Sequence, residues 1–108
     1  MKKFTALLVL AGVTQFAGAA DIVGNPKAAG AKVEMCIGCH SIPQYKTGYP
    51  EVYRVPMIAG QSAKYLEAAL NEYKKGDRKN LSMRGIATSL SDRDIADVAA
   101  YYAQMSVK

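Results

Sequence analysis

Three residue types capable of binding or holding a redox centre stand together in Cys36-Ile37-Gly38-Cys39-His40. Two thiols three positions apart on one helical turn can each add to a vinyl group of the same porphyrin. The adjacent imidazole can then supply an axial ligand to the iron. C-x-x-C-H is the attachment pattern of c-type haem. Two other readings use the same cysteines. A redox dithiol needs a thioredoxin-like βαβ setting, and no such pattern surrounds the motif. Half a zinc site needs a second ligand pair, and the chain holds 2 Cys and 1 His in all.

With His40 the sole histidine, ligation by two histidines within the chain is excluded. A second axial ligand has to come from Met35, Met57, Met83 or Met105 if the initiator methionine is set aside. Met35 adjoins Cys36 and cannot reach the opposite face. Met57, between Pro56 and Ile58, falls on the histidine side. Met105 reads as core of a terminal helix. Met83 lies in a polar segment between two helices, free to approach from the other face, and is the expected distal ligand. The plain alternative is a gap-filling hydrophobe.

The elements that position these residues follow from spacing and caps. Lys2 and Lys3, the apolar run Phe4 to Val13 and the small residues Ala17 to Ala20 form the pattern of a secretory signal peptide over residues 1–20. Residues 21–108 then form one domain. Loss of Lys2 and Lys3 takes the formal charge from +5 to +3, which gives no support to nucleic-acid binding. Asn25-Pro26 opens a helix expected to run to Ile37. Its interior Gly30 costs about 1 kcal/mol against alanine; it is either an ordinary tolerated glycine or, the reading favoured, the mark of a close crossing with the aromatic C-terminal helix.

Residues 41–60 carry Pro43, Gly48, Pro50, Pro56 and Gly60 and no helical period. Tyr45, Tyr49 and Tyr53 there are candidates to cover a haem edge; otherwise they are rings on a surface loop. Ser62 caps a helix over Ala63 to Lys75, stopped by Gly76, with Leu66, Ala69, Leu70 and Tyr73 on its inner face. A short helix is expected around 83–89. Ser91 and Asp94 form a capping-box-like start for the last helix, whose inner face takes Ile95, Val98, Tyr101 or Tyr102, and Met105. Neither a convincing β-strand nor an internal repeat is present.

Taken together, Met35-Cys36-Ile37-Gly38-Cys39-His40, Pro56-Met57-Ile58-Ala59-Gly60-Gln61, Tyr65-Leu66, Tyr73-Lys74-Lys75-Gly76-Asp77-Arg78, Met83 and the run Leu90 to Ala103 resemble the small monohaem class I c-type cytochromes of bacteria. They are especially similar to one domain of the two-domain dihaem periplasmic cytochromes. The resemblance implies Met83 as distal ligand. It implies that the Pro56 carbonyl accepts the proton on His40 Nδ1. It also implies that Gly30 meets Tyr101 where the first and last helices cross. The tyrosine-rich stretch 42–54 is longer than in the smallest members.

The expected fold is all-α: a cytochrome c fold of about four helices around one covalently attached haem c. The expected function is periplasmic one-electron carriage between redox protein partners, not catalysis. A membrane-bound oxidase or dehydrogenase is a candidate partner, and nucleic acid is not. Lys64, Lys74, Lys75, Arg78 and Lys79 could cluster near the haem edge. The rival readings are a haem subunit of a larger dehydrogenase or oxidase complex, and a five-coordinate haem that binds gas or reacts with peroxide.

Overall fold

Asn25 begins the ordered helical path because its side-chain oxygen accepts the Lys27 N–H at 3.1 Å, and Pro26 follows with its fixed φ. The structure, a computed structural model, describes residues 22–49 and 52–106; the expected signal peptide lies outside them. Pro26–Ala29 form a 3-10 turn, and α1 spans Glu34–His40. The single helix expected over Pro26 to Ile37 is therefore two pieces, the second reaching three residues further to include the whole Cys-His motif. Gly30 keeps helical angles, with φ −44° and ψ −61°, so the path still winds. Bonds to the third residue back tighten its ends: Ala28 N–H to Asn25 and Cys36 N–H to Val33.

The expected crossing at Gly30 is also corrected. Gly30 is exposed, and a Cβ there would meet nothing within 4 Å. Ala29 and Val33, one turn apart on the other face, are the buried pair, and they share a core with Leu66, Val98, Ala99 and Tyr102. The close approach falls at Gly24 instead, where a Cβ would lie 2.0 Å from the Ala96 carbonyl oxygen. Tyr101 flanks this core and meets Tyr102 edge-on, ring centroids 5.3 Å apart.

Helix α2, Ala63–Lys75, starts at Ser62, whose hydroxyl accepts the Tyr65 N–H, and stops at Gly76 in the left-handed region, φ +91°. There the N–H groups of Gly76 and Asp77 both reach back to the Glu72 carbonyl. Helix α3, Leu81–Thr88, begins two residues before the expected position because Asn80 caps it. Helix α4, Asp92–Ala103, opens on the reciprocal Ser91–Asp94 box, with bonds of 2.9 and 3.1 Å. It buries Ile95, Val98 and Tyr102. Met105 is not core: α4 ends at Ala103, and Met105 is exposed beyond it. Among the described residues there are four α-helices, matching the expected number.

Strand was not expected, yet β1 (Lys46–Thr47) pairs antiparallel with β2 (Tyr53–Arg54), Lys46 opposite Arg54 and Thr47 opposite Tyr53. Two residues per strand are too few to show an alternating pattern in sequence. The Val55 N–H to Tyr45 carbonyl bond, 2.9 Å, continues the pairing. The Gly60 N–H bonds the Tyr102 carbonyl at 2.9 Å, which fastens the end of the loop to α4.

The N-terminal segment is held to α4 by charge. Asp97 is 1% exposed and accepts from the Asn25 N–H at 2.7 Å and from Lys32 Nζ at 2.9 Å. Lys32 also pairs with Asp94 at 2.7 Å. The Asn25 N–H, then Lys32, hold the Asp97 carboxyl below its ordinary range. Lys32, then Ser91, lower Asp94 to about 2. Both carboxyls titrate lower folded than unfolded, so their contribution is complete above about pH 4. It is lost as pH falls toward about 2. Asp97→Asn should cost about 2 kcal/mol at pH 7 and should flatten the loss of stability between pH 4 and 2, both read from denaturant unfolding of the holoprotein across pH.

Candidate functional site

Helix α1 carries Cys36, Cys39 and His40 on the wall of a cavity of about 330 Å³. Both thiols are free and half-buried. Burial pushes the Cys36 thiol pKa up, the opposite of what an activated redox dithiol requires. Among the described residues no group of three or more His, Cys, Asp or Glu is placed to hold a metal. The zinc and dithiol readings therefore have no support in the geometry.

His40 Nδ1 lies 2.7 Å from the Pro56 carbonyl oxygen. A carbonyl can only accept, so the hydrogen is on Nδ1 and the Nε2 lone pair is left available for a metal. The loop between β2 and α2, through Pro56, thus fixes the ring's tautomer and orientation.

The remaining walls come from every other helix. α2 contributes Leu66, Ala69, Leu70 and Tyr73; α3 contributes Met83 and Ile86; α4 contributes Val98 and Tyr102. Met83 is half-buried and sits in the first turn of α3, the short helix expected around 83–89. Asn80 starts that helix two residues earlier: its side chain accepts the Met83 N–H at 3.0 Å. Met35 also lines the cavity, beside Cys36; Met57 and Met105 do not, and both are exposed. Of the three loop tyrosines, Tyr53 lines the cavity, whereas Tyr45 and Tyr49 do not, and Tyr49 is 88% exposed.

These walls fit a large, mostly apolar macrocycle tethered through two thioethers. The Tyr102 hydroxyl, on the same wall, is buried without a hydrogen-bond partner, and burial raises its pKa to about 12. Residue-level reading missed Asn80, Leu81 and Ser82 on the wall, and gave Arg78 no role beyond a basic surface patch. Asn80 carried a usable signal, a capping residue three positions before Met83. Arg78 carried none, because its contacts are made by the fold.

Residues 27–106 match the protein family described as cytochrome c. Over 106 residues the chain is 37% identical to cytochrome c4 of Pseudomonas aeruginosa (strain PAO1), covering 98% of this chain and 49% of that protein. It is 40% identical over 82 residues to cytochrome c-554(548) of Halomonas halodenitrificans, covering 73% of this chain and 94% of that protein. The structure is similar to that of reduced recombinant cytochrome c4 from Pseudomonas stutzeri, with TM-score 0.62 and 32% identity over 78% of this chain and 47% of that one. The chain thus spans about half the length of the cytochrome c4 proteins it matches.

An apolar cavity of about 330 Å³ lined by every helix leaves much of that lining without packing partners when haem is absent. The Cys36→Ala, Cys39→Ala chain, made without haem, should therefore show no native-like cooperative transition. Far-ultraviolet circular dichroism during thermal unfolding checks this, and a sharp transition at the holoprotein's temperature would refute it.

Proposed function

The chain belongs to the cytochrome c family and carries covalently bound haem c, and from that premise we propose that it is a one-electron carrier whose iron is held by His40 and Met83. Bound haem c supplies reversible exchange of one electron between ferrous and ferric iron. Cys36 and Cys39 hold it through thioethers. His40, oriented by Pro56, presents Nε2 to the metal. Met83 presents its thioether from α3.

The observation that carries the reading is the placement of the methionines. Only Met35 and Met83 line the cavity among the described residues. Met35 is on α1, adjacent to Cys36 and on the same helix as His40, whereas Met83 comes from a different helix. A thioether in the sixth position raises the reduction potential relative to harder ligands and keeps the coordination number unchanged between redox states. The chain acts as a carrier, not an enzyme, and its partners are redox proteins, with a membrane-bound oxidase or dehydrogenase among the candidates. The basic start and apolar run of residues 1–20 support export as a signal peptide, so that residues 21–108 work in the periplasm. Among the described residues no helix is long and apolar enough to cross a membrane.

Met83→Ala should keep haem attached, lose the weak red band of thioether-ligated ferric haem, lower the potential and let the ferrous form bind carbon monoxide. Met57→Ala should change none of these. Absorption spectra of both variants in both redox states are the test. A wild type that already binds carbon monoxide at neutral pH would instead support the five-coordinate reading.

A further inference from the structure

Among the described residues, the Tyr102 hydroxyl is the one buried side-chain polar atom without a hydrogen-bond partner. Tyr102 is 1% exposed and is among the largest fully buried side chains. A hydroxyl in that state has given up water and gained nothing in exchange, which marks a partner still to be found. The residue cannot swing outward to reach solvent. Its carbonyl accepts from the Gly60 N–H at 2.9 Å and the Met105 N–H at 3.2 Å, and its ring meets Tyr101 edge-on.

Few groups near it can accept. The other side chains of its core, Ala29, Val33, Leu66, Val98 and Ala99, are hydrocarbon. Of the partly buried residues packed against that core, only Cys36 and Tyr101 carry a side-chain heteroatom. Burial, then Cys36 and Tyr101, raise the Tyr102 pKa, and Ser41 lowers it, so these three polar groups act on the phenol. Tyr101 is half-buried and Ser41 exposed, so both have access to water. Cys36 lies on the same cavity wall as Tyr102. Its own S–H is directed at the Lys32 carbonyl, Sγ to oxygen 3.9 Å, which leaves the sulfur lone pairs open. Thioether formation removes that S–H, and the sulfur can then only accept.

We propose that the Tyr102 hydroxyl donates a hydrogen bond to the Cys36 sulfur once that sulfur is a thioether, and so acts as a positioning residue that fixes this bridge and raises the reduction potential. The inference rests on the haem reading above. The hydroxyl keeps its proton throughout; only the hydrogen bond forms. A donor on sulfur draws electron density from the attached macrocycle and favours the ferrous state, the more so in a dry interior. Cys39 does not pack against this core, so the two thioether bridges are unequal.

The test compares the wild-type and Tyr102→Phe holoproteins, which differ by one buried oxygen. Deleting an orphaned hydroxyl stabilises or is neutral, whereas deleting a bonded one destabilises. Tyr102→Phe should therefore lower the denaturant midpoint. In wild type the carbon–sulfur stretch seen by resonance Raman should shift on transfer to D2O, and Tyr102→Phe should abolish that shift. The ferrous-to-ferric ratio at a fixed ambient potential should fall about threefold in the variant. Cys36→Ala keeps haem through Cys39 alone, and there the added Tyr102→Phe should no longer move the ratio. In Cys39→Ala it should move it as in wild type. Ser41→Ala should leave all these effects of Tyr102→Phe intact. A midpoint that does not fall, a stretch insensitive to D2O in wild type, or effects that vanish in Ser41→Ala would each overturn the assignment. Haem that acidified acetone extracts from wild type would strike the haem reading itself. Haem that stays bound while any of those three results appears would strike only Tyr102.

Discussion

An interior too large for the chain to fill is the constraint on which the rest of this structure depends. The helices are short, from 7 to 13 residues, and helices of that length are marginal on their own. They meet around a space of about 330 Å³ with contributions from all four helices and from the hairpin. The packed core proper is small: Ala29, Val33, Leu66, Val98, Ala99 and Tyr102 where the N-terminal segment crosses α4 and α2. The covalently attached macrocycle supplies the missing interior, and the thioethers make it inseparable from the fold.

Covalent attachment also changes what the walls have to do. A reversibly bound cofactor needs many contacts for affinity. A tethered one needs only orientation, and few polar contacts provide it here. The Pro56 carbonyl fixes the His40 ring, and the Asn80 side chain fixes the start of the helix bearing Met83. The loop that carries Pro56 is itself pinned, by the Gly60 N–H to the Tyr102 carbonyl, and the segment after α3 is tied to α2 by Lys74 Nζ to the Leu90 carbonyl at 2.5 Å.

What could be read from the sequence is divided by range. Caps were legible because their chemistry lies within a few residues: Ser62, Gly76, Ser91 and Asp94 all stand where local rules place them. Cys36, Cys39 and His40 were legible for the same reason. The misplacements involve contacts between distant segments. Gly30 and Gly24 look alike in sequence, yet only Gly24 meets a neighbour, and that neighbour, Ala96, is far along the chain. Met105 follows the apolar spacing of α4, but the helix stops two residues earlier. The hairpin is recognisable by pairing across the loop, not by pattern within either strand.

The charges follow a similar logic of segregation. Lys32, Asp94 and Asp97 lock the N-terminal segment to α4, and none of the three lines the cavity. Asp97, although buried, has its charge answered by Lys32 and a backbone N–H. Arg78 stands outside that cluster: it lines the cavity, and its Nε is bonded to Glu72 on α2.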